Sequence, residues 1–413
     1  MRWTVRPAPP SGGGGEVFLA FLRLGLTALG GPIAHLGYFR TEFVERRRWL
    51  DEAAYADLVA LCQFLPGPAS SQVGLAIGLL RAGPLGALAA FTAFTLPSAL
   101  LLIAFAYGLT ALGAGLGGGW LHGLKAVTVA VVAQAVLGMA RTLAPDRTRA
   151  TLAVAAMILA LALPGTTGQI GAILLGAALG FFLPGASLLP GASLLPSTPP
   201  AATAEATRTR LSRTTGLASL GLYALLLAGL PLAAAAVPSQ GLSLVDAFYR
   251  AGALVFGGGH VVLPLLQGAV VPPGWMSNDT FLAGYGAAQA VPGPLFTFAA
   301  YLGAAMGPQP NGWIGGLLCL GAIFLPAVLL VFGALPFWES LRTRPLARRI
   351  LAGVNAAVVG VLLAALYDPV WTGGIRGPAD VALAASAYLA LVVWRAPPWL
   401  VVIGGALAGA GVG

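Results

Sequence analysis

The sequence predicts an all-α polytopic membrane protein built from two inverted-topology repeats, with broken and re-entrant helices among about 12–13 hydrophobic segments. Three observations predict it. Only 8% of the 413 residues are charged and 58% are hydrophobic, whereas soluble domains carry about 25% charged residues. A Pro-Gly-Pro tripeptide interrupts an apolar stretch at 66–68 and returns at 292–294. The arginine content of corresponding loops reverses between the two halves.

The first observation sets the class. A mean hydropathy of +0.87 over so long a chain requires many apolar helices, with the lipid bilayer as the partner surface. The net charge of +9 is expected as arginine in cytoplasmic loops. It does not indicate nucleic-acid binding, because no polar, aromatic-interleaved basic domain accompanies it. Cys62 and Cys319 are isolated in apolar surroundings and form no metal or redox motif. No cofactor is indicated. No small-residue cleavage site follows the apolar run 17–29, so residues 1–15 are expected as a disordered cytoplasmic tail and not as a cleaved leader.

The repeat divides the chain. "FLRLGLTALGG" (21–31) aligns with "FYRAGALVFGG" (248–258), and "TLPSALLL" (95–102) with "FLPAVLLV" (324–331). "GLKAVTVAVV" (123–132) aligns with "GVNAAVVGVL" (353–362), and Gln63 with Gln289. The common order gives a first repeat over 16–183 and a second over 244–412. Between them, 184–215 is rich in Pro, Ala, Ser and Thr and carries a tandem "PGASLL". It is expected as a flexible cytoplasmic linker. Residues 216–237 form one further transmembrane segment.

Loop charge orients the halves. "YFRTEFVERRRWLDE" contains Arg40 and Arg46–Arg48, while its counterpart "QGAVVPPGWMSNDT" (267–280) contains no Arg or Lys. The next pair of loops reverses this, with Arg342, Arg344, Arg348 and Arg349 in the second half. The halves therefore face opposite ways, and segment 216–237 supplies the odd crossing. The N-terminus and linker are expected in the cytoplasm and the C-terminus in the periplasm. The sequence leaves open whether the first segment of each repeat crosses or re-enters.

The tripeptides explain themselves in this setting. The arms 51–65 and 69–80 each cover about 18–22 Å, too short for a core of about 30 Å. Arginines flank both outer ends. Pro66 and Pro68 remove donors and stop a helix, and Gly67 turns the chain. A re-entrant hairpin with its turn inside the membrane follows, and Pro292-Gly293-Pro294 forms its mirror. An ordinary proline-kinked spanning helix competes with this reading; recurrence in both halves favours the hairpin. Ser70, Ser71 and Gln72 at the start of the second arm combine hydroxyls with the free N–H groups of a helix N-terminus, a generic anion site. The second tip offers Thr297 alone, so the first tip is the expected binding tip.

Further candidates line the same region. Arg23 and Arg250 each stand seven residues before a glycine pair, Gly30-Gly31 and Gly257-Gly258. An arginine within the bilayer costs about 2.5–3.5 kcal/mol and needs a partner or a role, and a guanidinium matches an oxyanion. Snorkelling to the interface is the competing reading. Lys125 aligns with Asn355 and would offset a dianion's charge, or snorkel. His35, His260 and Asp57 are the candidate proton carriers; for the histidines a packing role competes, and for Asp57 an interfacial pairing with arginine.

At these stretches, "FLRLGLTALGGPIAHLGYFRTEFVERRRWLDEAAYADLVALCQFLPGPASSQ" and "VFGGGHVVLPLL…GYGAAQAVPGPLFTFAAYLG", the chain resembles the chromate ion transporter family of the long, two-domain type. The resemblance spans nearly everything except the tail and linker. It implies an inner-membrane protein that exports chromate, driven by the proton-motive force, and confers chromate resistance, with sulfate as a related tetrahedral substrate. Homo-oligomeric assembly is compatible with the sequence. Sulfate or another oxyanion is the alternative cargo. A membrane enzyme acting on lipid phosphates is the alternative class, but it requires intramembrane acid–base groups that the hairpin tips lack. The expected mechanism is alternating access: Arg40 and Arg46–Arg48 gather dianions, which settle near Arg23, Gln63 and the turn at 70–72.

Overall fold

The computed structural model describes residues 13–112, 119–163, 165–182, 211–342 and 344–412. The expected tail to residue 12 and residues 184–210 of the expected linker lie outside the described residues. Among the described residues there is no strand. Five helices among the described residues are long and apolar enough to cross a membrane: 69–109, 119–143, 213–236, 312–337 and 345–374.

The first repeat opens with α1 (Gly14–Thr27) and α2 (Gly31–Arg40), followed by a π turn, Thr41–Arg46. Then come α3 (Glu52–Phe64) and α4 (Ala69–Leu112), the latter broken at Ala82 and Gly83. The repeat ends with α5 (Gly119–Leu143), α6 (Arg147–Ala162) and α7 (Thr166–Gly180). The single helix α8 (Arg213–Ala236) leads to the second repeat. There α9 (Gln240–Ala253) and α10 (Val262–Val270) match α1 and α2, and α11 (Asn278–Ala288) and α12 (Phe298–Ala305) form the second hairpin. The series closes with α13 (Gly312–Ala334), α14 (Pro345–Ala365), α15 (Pro378–Val392) and α16 (Pro398–Val412). Both hairpins form where the proline-glycine-proline turns place them.

The first segment of each repeat re-enters. Glu16, at the start of α1, pairs with Arg47 after α2 (3.5 Å) and with Arg81 at the end of the second hairpin arm (3.0 Å). These three points therefore share one side of the molecule. In the second repeat, the Gly307 N–H at the end of the hairpin donates to the carbonyl of Trp275 after α10 (3.0 Å), and a Cβ on Gly241, at the start of α9, would lie 3.9 Å from Pro310 Cγ just beyond that hairpin. Ala28–Gly30 and Leu254–Gly258 break these segments, with left-handed backbone at Gly30 (φ 104°) and Gly257 (φ 76°) that glycine adopts without strain.

Two reciprocal hydrogen bonds join the repeats at the centre. The Gly67 N–H donates to the carbonyl of Val255 (2.7 Å), and the Gly293 N–H donates to the carbonyl of Ala28 (3.0 Å). Each hairpin tip thus reaches the break in the other repeat's first segment. The chemistry fits: prolines on both sides leave the glycine as the tripeptide's only backbone donor, and a helix end leaves carbonyls without partners. Backbone groups at this depth must be satisfied by protein. The breaks also meet, since a Cβ on Gly259 would lie 3.3 Å from Pro32 Cγ.

Outside the centre the repeats clasp each other. α5 of the first repeat packs on α15 and α16 of the second, and α14 of the second packs on α6 and α7 of the first. Glycines set the spacing symmetrically: a Cβ on Gly123 would lie 2.1 Å from the Gly405 carbonyl oxygen, and one on Gly353 would lie 2.1 Å from that of Gly176. Small residues give membrane helices this close approach. α8 stays at the periphery, held where Tyr223 Oη donates to the Ala253 carbonyl (3.1 Å).

The tip glycines are the sharpest test of this arrangement. Gly293 (φ 108°) has no room for a Cβ, which would sit 2.8 Å from Ser98 Oγ. Gly293→Ala is expected to cost about 1–3 kcal/mol, read as a lower unfolding midpoint of the purified protein. Gly221→Ala on α8, where a Cβ meets nothing within 4 Å, serves as a neutral control.

Candidate oxyanion site at the hairpin tips

The site grows from the first tip. Asp51 caps α3 by accepting from the Ala54 N–H (2.7 Å), so the arm starts firmly at the protein's rim. It ends at Leu65, and α4 begins at Ala69, directly after Pro68. Gln72 is fully buried, and its Nε2 donates to the Pro66 carbonyl (2.7 Å) across the turn. The Gln72 N–H bonds the Pro68 carbonyl. The N–H groups of Ala69, Ser70 and Ser71 precede the first intrahelical bonds and point out of the helix start.

His35 ties this turn to the broken segment. It is buried on α2, with Nε2 3.3 Å from the Ala28 carbonyl and Nδ1 3.4 Å from Ser70 Oγ. A carbonyl only accepts, so Nε2 carries the proton and Nδ1 accepts from the Ser70 hydroxyl. That leaves Ser71 as the serine with an uncommitted hydroxyl. Ser71 Oγ, Gln72 Oε1 and Thr95 Oγ1 are buried without a hydrogen-bond partner, whereas the Gln289 side chain, at the end of α11, lies beside the Tyr285 hydroxyl. An orphaned buried polar atom costs about 1–3 kcal/mol, and the Ser71 hydroxyl carries that cost at the first tip, beside the opening N–H groups of α4.

The second tip is chemically quieter. Thr297 Oγ1 donates to the Pro294 carbonyl (2.7 Å), which consumes its hydroxyl. Pro292, Gly293 and Pro294 rest against α4, where Gly293 approaches Ser98 and the Phe94 carbonyl. His260 Nδ1 lies 2.8 Å from Tyr285 Oη on α11. Each repeat thus anchors a histidine at its break to its own hairpin, through positions that do not align.

Several expected ligands sit elsewhere. Arg23 is exposed on α1. The buried face of that helix is Val17, Ala20, Phe21 and Leu24, a 3.6-residue stripe that excludes position 23. Arg250 is half-buried but forms a two-pronged pair with Asp246, one turn back on α9 (2.8 Å from Nε), so neither guanidinium converges on the tips. Gln63 lies on the exposed side of α3. Asp57 is buried on the same helix. Lys125 is buried but bonded to Asp279 at the mouth of the second hairpin (2.9 Å), at the far end of α11 from the tip. Gly30, Gly31, Gly257 and Gly258 all hold positive φ at the breaks.

The arginine-rich loop is also not a free cationic funnel. Arg40 pairs with Glu45 and Glu52, Arg46 and Arg47 with Glu42, and Arg47 again with Glu16. Burial opposes the charge of Glu42, but the Arg47 and Arg46 guanidiniums outweigh it and hold its carboxyl below the ordinary range. Arg47 and Arg81 also stack over Trp49, 5.3 and 4.8 Å from its centre. Sequence counting saw the arginines and not the glutamates interleaved with them. Thr95 and Ser98 went unnoticed too, although the aligned "TLPS" of 95–98 carried the signal.

The chain matches the family model described as "Chromate transporter" over residues 15–195 and 242–410, two stretches that correspond to the two halves of the fold. The chain belongs to the chromate transporter family. It is a multi-pass membrane protein of transport type, and the two matched stretches are the two repeats. A "Chromate transport protein" of Pseudomonas aeruginosa is 28% identical over 95% of this chain and 90% of its own length. A "Probable chromate transport protein" of Synechococcus elongatus is 29% identical over 84% and 82%. A "Chromate transport protein" of Cupriavidus metallidurans is 25% identical over 85% and 81%. No solved structure matches the chain. Within this chromate-transporter fold, the orphaned atoms at the hairpins are the groups left over once the backbone is satisfied.

Stability separates ligand-directed groups from structural ones. Ser71→Ala removes an unpaired hydroxyl and is expected to leave the unfolding midpoint unchanged or raised. Gln72→Leu also breaks the bond to Pro66 and is expected to cost about 1 kcal/mol. A midpoint that falls with Ser71→Ala would show that hydroxyl to be bonded within the protein.

Proposed function

We propose that this protein exports chromate, a tetrahedral dianion, from the cytoplasm across the inner membrane, and that this confers chromate resistance. The names of its relatives point to the cargo, and the unpartnered Ser71 hydroxyl beside the helix start at the first hairpin tip supports an oxyanion site. The Ser71 hydroxyl and the opening N–H groups of α4 supply hydrogen bonds and the positive end of a helix dipole without a full charge. A site of that kind binds a dianion and releases it again.

The arginines support the orientation. Arg46–Arg48 and Arg342–Arg349 belong on the cytoplasmic side. That places the N-terminus and the segment between the repeats, 184–215, inside and the C-terminus in the periplasm. The two repeats, 16–183 and 244–412, rock about the tips, exposing them to each side in turn. The proton-motive force then acts first through its electrical part: an inside-negative potential favours outward movement of anions by about 2.3 kcal/mol per charge per 100 mV. His35, His260 and Asp57 are the titratable groups at the breaks and hairpin through which protons would couple.

Everted vesicles test the reading directly. Energised vesicles containing the protein are expected to accumulate chromate, and dissipating the gradient is expected to abolish it. Ser71→Ala is expected to lower uptake by about tenfold, equivalent to one strong hydrogen bond to a charged group. Arg23→Ala, on the exposed side of α1, is expected to stay within about twofold of the wild type. Sulfate competition in the same assay measures selectivity between the two tetrahedral dianions. Absence of any gradient-driven chromate or sulfate uptake would overturn the proposal.

A further inference from the structure

A second polar site lies well away from the tips. A cavity of about 600 Å³ opens between the start of α5, the mouth of the second hairpin, the start of α15 and the end of α16. Among its lining residues are His122, Lys125, Asp279, Arg376 and Asp380. The other described lining residues are apolar or uncharged. By the arginine distribution this cavity faces the periplasm.

Its charges are unevenly held. The Lys125 side chain is only 4% exposed, yet its partner Asp279 is 62% exposed. The same carboxylate lies 3.8 Å from Arg376, itself 64% exposed. A buried ammonium on one repeat is thus neutralised by a solvated carboxylate on the other. His122 Nε2 is engaged by Asp380 (2.6 Å), while its Nδ1 is buried and has no partner. A buried charge must keep a counter-ion, but an exposed carboxylate is cheap to return to water. An incoming anion that takes its place meets Lys125 and Arg376 together.

We propose that this cavity is a periplasmic release site for the transported oxyanion, in which Asp279 is a stand-in anion that the substrate displaces and that later returns to expel it. The reading rests on oxyanion transport as proposed above. Asp279 lies in the first turn of α11, so the exchange acts at the root of the second hairpin. On the opposite side Asn355 replaces Lys125 in the alignment, so the device belongs to one face only and biases release outward. Lys125 therefore binds cargo at the exit, with His122 and Arg376 beside it.

Chromate binding to the full-length protein in nanodiscs tests this, together with uptake in everted vesicles. Asp279→Asn removes the competitor and is expected to tighten chromate binding by about tenfold while lowering the turnover rate, because release slows. The tightening is expected to vanish in the Lys125→Met background. Arg376→Gln, at an exposed side chain that leaves folding intact, is expected to weaken binding by about threefold. Affinity within twofold of the wild type for both Asp279→Asn and Arg376→Gln overturns the release site, as does tightening that persists without Lys125. If the wild type itself neither binds nor moves chromate or sulfate, the failure lies with the transport reading instead.

Discussion

Two hydrogen bonds hold the centre of this protein. Each Pro-Gly-Pro tripeptide has a single backbone N–H, on the glycine between its two prolines. Each broken segment presents the carbonyls its helix end leaves unpaired. The bonds from Gly67 to Val255 and from Gly293 to Ala28 satisfy both needs at once. In water neither group would matter, because solvent would satisfy it. In a bilayer each must find the other, which forces the two repeats to meet tip to break and sets the pseudo-twofold relation of the whole bundle.

Symmetry in the backbone leaves the side chains free to differ. The first tip keeps hydroxyls and an amide whose atoms are not all spent, while the second has spent its one hydroxyl on Pro294. His35 and His260 are each pinned to a hairpin, through different partners. Lys125 faces Asn355 across the alignment. A transporter with identical ends would have no preferred direction built into its own groups. These differences supply one without disturbing the scaffold.

The clasp of helices explains how such a centre stays assembled while moving. α5 and α14 are each embraced by the last two helices of the opposite repeat, at glycine contacts too close for any side chain. The second hairpin is packed as tightly: Phe281, Tyr285, Phe298 and Tyr301 are fully buried, and a Cβ on Gly303 would lie 2.1 Å from the Gly315 carbonyl oxygen. Alternating access in such a bundle requires packed bodies to move against each other as units.

Much of this was legible in one dimension. Low charge, paired tripeptides and reversed arginine loops determined the membrane class, the repeats, their opposed orientation and both hairpins, because each follows from local chemistry or from the bilayer's refusal to solvate backbone. Side-chain direction was the main casualty. Arg23 looked like a ligand because it precedes a glycine pair, yet helical phase turns it outward. Arg250 looked like a ligand for the same reason, yet Asp246 lies one turn away on the same face. The arginine loop looked cationic, yet four glutamates lie folded among the arginines. Pairing across repeats was invisible too: only the tertiary structure decided that tips meet breaks, that α5 and α14 are clasped by the opposite repeat, and that Lys125 meets Asp279. The physical reason is distance along the chain. Periodicity and composition are local quantities, whereas the partner of a buried polar group is whichever group the closed fold brings within about 3 Å.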